Sequence, residues 1–286
     1  MKLKLIFIVM LVLKSFLFVN AQEAVKIEKQ GTGKPIIFIP GLGCSGDVWN
    51  VVVEKLSRNY ECHVVNIAGF AGWHTQTVFN ISHIEKEIES YIRNHNMASP
   101  LLIGHSLGGF ISLDLASKNS AFFYKIVIID SYPFALGANV QGITEEQARQ
   151  QAEQIKNIYL QMNEESYKSQ QYAILQSAIS DSAHLNIVLN WILDSDRASI
   201  AQAMYEVLST DLRSKIAAID KPLLVLGTWI GQKQLGRTKE MTYNLFQDQY
   251  RNVNNIEIKV SDNSKHFIMY DDPDWLISNI KEYLKK

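Results

Sequence analysis

Short apolar runs alternate along this chain with longer segments in which apolar positions recur every three or four residues. The runs fall at residues 36–39, 62–67, 101–103, 124–129, 223–226 and 256–260. They are rich in Ile, Val and Leu and predict strands covered on both faces. A shorter strand is expected at 25–28, ahead of the turn at Gly31 and Gly33. Between the runs, Val48, Val52 and Leu56 share one face of a helix that Asp47 would cap and that ends near Ser57. Ile84, Ile88 and Ile92 do the same for a helix over 81–95, and further helices are expected over 107–118, 238–252 and 273–284. Repeated strand-helix-strand order implies a mostly parallel, doubly wound sheet with helices on both faces, the α/β class.

The alternation stops between residues 135 and 218. No strand pattern occurs there. Thr144, Glu145, Glu146 and Gln147 read as a helix start, and Ile155, Ile158 and Met162 continue an apolar stripe. Further helices are expected over 164–179, 183–193 and 197–208. A helical insertion between two sheet strands suggests a cap over the strand ends, with residues 22–134 and 219–286 forming the core that carries it; helices packed elsewhere on the domain are the alternative.

The first 21 residues are set apart. Lys2 and Lys4 precede an unbroken apolar run over 5–13, which Lys14 interrupts. Nine residues are too few to span a bilayer core of ~30 Å. Val19 and Ala21 supply the small residues expected before a cleavage site, so residues 1–21 are expected to be a signal peptide and the protein to be exported, periplasmic or secreted. No second stretch is long enough to predict a stable membrane span after cleavage. The chain carries 28 Lys plus Arg against 29 Asp plus Glu; loss of Lys2, Lys4 and Lys14 leaves 25 against 29, a charge of -4. That balance offers no basic face for nucleic acid.

Candidate chemistry begins at Gly104-His105-Ser106-Leu107-Gly108. A Gly-x-Ser-x-Gly arises by chance in roughly one chain in ten of this length, so context decides. An apolar strand precedes this one and a helical segment follows, the strand-turn-helix setting of a nucleophile elbow with Ser106 as nucleophile.

The elbow, the Pro40-Gly41-Leu42-Gly43-Cys44-Ser45 loop, the helical insertion and a late His266 together resemble the α/β-hydrolase superfamily, in particular an exported, capped serine esterase or lipase-like branch. The resemblance covers nearly all of the chain after residue 21. It implies the α/β-hydrolase fold and an acyl-enzyme mechanism. By position, the backbone N–H groups of Leu42 and Leu107 would face a developing oxyanion, although Pro40 stands where many relatives carry His. The superfamily order of nucleophile, acid, His leaves His184 and His266 as candidate bases; His266 follows the last strand and is the expected one. His74 would have at most a place at the pocket mouth.

The acid departs from the common pattern. Ile230 stands where many relatives place Asp, and the loop after 223–226 has no carboxylate before Glu240. The alternative position used by some branches, the end of the strand after the elbow helix, holds Asp130, with Ser131 or Thr228 as candidate donors to it. Asp262 is the runner-up. Trp229, Tyr132, Phe134, Met269 and Cys44 are expected to line an apolar substrate pocket. Cys44 and Cys62 lie about one strand length apart, ~17 Å, too far for a disulfide. No metal motif and no dinucleotide fingerprint occurs, so neither metal nor cofactor is expected. The leading expectation is a serine hydrolase acting on a small-molecule ester or related acyl bond. A peptidase or amidase using Glu145, Glu146, Glu164 or Glu165 to hold an amine is a second reading, and a slow-turnover ligand sensor a third.

Overall fold

The computed structural model describes residues 23–76 and 78–286; the expected signal peptide lies outside them. Seven strands form one sheet: β1 (Val25–Gln30), β2 (Lys34–Ile39), β3 (Tyr60–Ile67), β4 (Leu101–His105), β5 (Lys125–Ile129), β6 (Leu223–Gly227) and β7 (Ile256–Val260). Their order is β1-β3-β2-β4-β5-β6-β7. Every neighbouring pair is parallel except β1 with β3, which runs antiparallel and was not foreseen from the pattern. β4 and β6 are buried along their whole length, as their unbroken apolar runs require.

Helices α1 (Asn50–Leu56), α2 (Ile81–Asn94) and α3 (Leu107–Asn119) follow β2, β3 and β4. Five more separate β5 from β6: α4 (Ala135–Asn139), α5 (Glu145–Gln161), α6 (Glu164–Ala178), α7 (Ser182–Leu193) and α8 (Arg197–Ser209). α9 (Lys239–Gln249) follows β6, and α10 (Ile268–Asp271) and α11 (Pro273–Lys285) close the chain. Among the described residues no strand falls between Ile129 and Leu223, and no helix is long and apolar enough to cross a membrane. α5 starts with a full capping box: Gln147 N donates to Thr144 Oγ1 at 3.2 Å, and Thr144 N donates to Gln147 Oε1 at 3.0 Å. The first helical turn after β2 differs from expectation. Ser45, not Asp47, is the cap, its hydroxyl accepting from Asp47 N, and it starts a 3-10 turn over Gly46–Trp49 that leads into α1.

Parallel pairing places the carboxyl ends of β2, β4, β5, β6 and β7 along one sheet edge. Leu42, Ser106, Asp130, Thr228 and His266 all follow those ends. At the elbow the backbone has no room for side chains. A Cβ on Gly108 would stand 2.2 Å from Ile39 O, and one on Gly104 2.2 Å from Gly108 O. Gly108→Ala is therefore expected to destabilise the protein by about 2 kcal/mol or more, read as a lower urea midpoint; an unchanged midpoint would mean that the elbow can shift to admit a methyl group.

Candidate active site

Ser106 sits at the turn between β4 and α3 with φ 53° and ψ -118°. A side chain at positive φ is strained, and the surroundings hold it: Ser106 N donates to Ile129 O at 3.0 Å, and Phe110 N donates to Ser106 O at 3.0 Å. The half-buried hydroxyl thus stands proud of the sheet edge. Leu107 is the first residue of α3, so its N–H has no partner within the helix. Leu42 lines the same cavity as Ser106 and Leu107.

Asp130 also has positive φ, 44°, and its N–H donates to Leu226 O at 2.8 Å. Three donors meet its carboxylate. Thr228 N reaches Oδ1 at 2.9 Å, Thr228 Oγ1 reaches Oδ2 at 2.8 Å, and His266 Nδ1 lies 2.7 Å from Oδ2. Thr228 supplies both of the non-histidine bonds, whereas the Ser131 carbonyl accepts from Tyr250 Oη at 2.7 Å. A carboxylate only accepts, so His266 carries its proton on Nδ1 and leaves the Nε2 lone pair unprotonated. The His266 side chain is 32% exposed and that of Asp130 12%, which leaves the ring reachable and its acceptor shielded.

His105 is the residue that reading the sequence missed. It is fully buried, and its Nε2 lies 3.0 Å from His266 O. The carbonyl can only accept, so His105 is the Nε2–H tautomer. Burial, and secondarily the neighbouring His266, pushes its pKa well below the usual histidine range, so it is neutral. Its ring also packs against His266 and Phe267, with centroids 4.6 and 4.8 Å away. Superfamily order directs attention to histidines after the nucleophile, and burial of a strand-end histidine leaves no mark in the pattern.

Ser106, Asp130 and His266 share the wall of a cavity of about 350 Å³ with Tyr132 and Trp229. Phe134, Met269 and Cys44 do not line it, contrary to expectation. Phe134 is fully buried with Leu136, Ile143 and Ala148 in a separate small cluster. Met269 lies on the single turn of α10, which aims it into the main core. Cys44 is buried within its loop, its Sγ 3.5 Å from Leu42 O, and burial pushes its thiol up to about 12. Cys44 and Cys62 are both free thiols. The insertion adds Ile174, Ser177 and Ala178 of α6 and Ala203, Met204 and Val207 of α8 to the wall, and the segment after β6 adds Thr228, Gly231 and Gln232.

The alternatives sit elsewhere. Asp262 is exposed and pairs with Lys239 Nζ at 2.7 Å. His184 stacks on Tyr270 and bonds Asp181. His74 is an exposed partner of Asp196 at 2.6 Å.

The family model for the alpha/beta hydrolase fold matches residues 34–285. The chain belongs to the α/β-hydrolase family. It is similar to the pimeloyl-[acyl-carrier protein] methyl ester esterase of Vibrio vulnificus strain YJ016, with 26% identity over 200 residues that cover 70% of this chain and 76% of the relative. Among solved structures, a hydrolase from Oleispira antarctica superposes with a TM-score of 0.75 at 15% identity, covering 92% of this chain and 96% of the other. An esterase from Exiguobacterium antarcticum gives 0.73 at 15% identity with the same coverage. The seven-stranded sheet and its elbow are thus those of the α/β-hydrolase fold.

Proposed function

We propose that this α/β hydrolase cleaves uncharged carboxylic esters through a Ser106-His266-Asp130 triad and an acyl-enzyme. The observation that carries the proposal is the 2.7 Å bond from His266 Nδ1 to Asp130 Oδ2 on the wall of the cavity that Ser106 shares. His266 Nε2 takes the Ser106 proton as Oγ attacks the ester carbonyl. The oxyanion forms against the N–H groups of Leu42 and Leu107, donors of a kind worth about 3 kcal/mol each. Collapse of the tetrahedral species expels the alkoxide, which leaves as alcohol with the proton from His266. Water then repeats the sequence on the acyl-enzyme, with His266 again as base, and releases the acid and free Ser106.

The cavity supports an uncharged acyl group. Asp130, His266 and Tyr132 are the titratable side chains that line it, and burial, with Asp130 nearby, pushes the Tyr132 hydroxyl far up, so it stays neutral. None of the four glutamates that could hold an amine in a peptidase lines the cavity: Glu145, Glu146, Glu164 and Glu165 are all exposed, and Glu164 pairs with Arg197. That the Vibrio relative is by name a methyl ester esterase also favours an ester over an amide. The test is a burst of p-nitrophenol from a short-chain p-nitrophenyl ester together with fluorophosphonate labelling; a label on a residue other than Ser106 would refute the assignment.

Trp229 bounds the cavity beside Thr228 and is half-buried. Trp229→Ala should favour longer acyl chains over acetate by about tenfold in kcat/KM, the scale on which a pocket resolves added methylenes. Unchanged selectivity with a large fall in Tm would assign the indole to core packing.

A further inference from the structure

The loop that carries His266 is tied to the helical insertion by contacts that the chemistry above does not use. The Asp271 carboxylate accepts the N–H of Lys265 at 2.8 Å, and from the insertion it accepts Ser180 N at 2.9 Å and Ser180 Oγ at 2.8 Å. Lys265 reaches the other way, its Nζ donating to Gln176 O at 2.6 Å and Ile179 O at 3.2 Å. Phe267 N donates to Ala178 O at 3.1 Å. The accepting carbonyls lie at the carboxyl end of α6, where no further helical N–H is available and a cation complements the helix dipole. Ile174, Ser177 and Ala178 of that same last stretch of α6 form part of the cavity wall.

We propose that Lys265 and Asp271 are positioning residues, a clamp that holds the end of α6 and the His266 loop at one fixed spacing so that base and cavity wall move as a unit. The proposal rests on His266 being the base. Lys265 and Phe267 flank His266 directly, so releasing them frees the backbone on both sides of the imidazole. Displacement of a catalytic group by ~1 Å costs about 10²-fold in rate.

The experiment measures kcat and KM on p-nitrophenyl acetate and hexanoate, well below the Tm of each variant. Asp271→Ala should lower kcat about tenfold or more on both esters. Asp271→Asn, which keeps one carbonyl oxygen at the site, should recover part of that loss and remain about threefold or more below wild type. Lys265→Met should raise KM for hexanoate more than for acetate, because a longer chain depends more on the wall that the end of α6 supplies. A folded Asp271→Ala protein with kcat within about twofold of wild type would overturn the clamp and assign these bonds to stability alone. If the alanine variant does not fold, the same threshold applied to Asp271→Asn decides. Activity surviving in His266→Ala is a separate outcome that would sink the assignment of the base and not the contacts themselves.

Discussion

Ser106→Ala and His266→Ala are each expected to lower kcat by about 10⁴- to 10⁶-fold, and the double variant to be little worse than either, because members of one relay act as a unit. Removing Oγ leaves His266 with no proton to accept. Removing the imidazole leaves a hydroxyl that cannot be deprotonated near neutral pH. In both variants the Leu42 and Leu107 N–H groups and the cavity persist, so some rate above that in water remains. Both substitutions are on half-exposed side chains at the cavity, so unfolding should occur at close to the wild-type urea midpoint. The measurement is ester turnover with active sites counted by a fluorophosphonate. A His266→Ala protein keeping more than about a tenth of the wild-type rate would remove His266 from the role of base.

Asp130→Asn should leave the fold intact and lower kcat by roughly 10²- to 10⁴-fold. The carboxylate now takes bonds from Thr228 N, Thr228 Oγ1 and His266 Nδ1. An amide offers one oxygen and one NH₂, so wherever its oxygen turns, the NH₂ confronts at least one of those donors. The arrangement that relieves the conflict moves the imidazole proton from Nδ1 to Nε2, where the lone pair is needed. Asp262→Asn, in contrast, removes only an exposed pair with Lys239 and should change kcat little, since such pairs contribute about 1 kcal/mol or less to stability alone. An essential Asp262 with a dispensable Asp130 would transfer the acid to the loop after β7.

What the sequence disclosed and what it withheld follow the range of the forces involved. β4 and β6 are legible because a strand buried on both faces admits apolar residues only. The elbow is legible because Gly104 and Gly108 have backbone where a Cβ would lie. Asp130 could be read as much from the missing carboxylate at Ile230 as from its own place at a strand end. The pocket was harder. Tyr132 and Trp229 turn into the cavity and Phe134 and Met269 do not, and the difference lies in local turns, an extended Phe134 before α4 and the single turn of α10. Such turns leave no periodic trace in four or five residues. The antiparallel β1 was hidden for a similar reason, since strand direction depends on a partner strand whose paired residues lie 32 or more positions away, as Gln30 with Cys62. His105 acts through its own burial and the backbone carbonyl of a residue 161 positions later, a relation that no local pattern records.

The placement of Asp130 has a bearing on how this scaffold could be diversified. Ser106 and Asp130 stand on adjacent strands joined by the Ser106 N to Ile129 O bond, and both precede α4 in the chain. The proposed nucleophile and acid therefore both enter the chain before the insertion begins. Residues 135–209 resemble an exchangeable cassette, whose replacement would reshape the cavity while sparing Ser106 and Asp130, two members of the proposed triad. The third member sets the condition on such a graft. His266 reaches that pair from the far end of the chain and is moored to α6 by Phe267 N and Lys265 Nζ. A transplanted cassette must bring matching carbonyls at the same place, or the chimera will fold and bind with its base adrift.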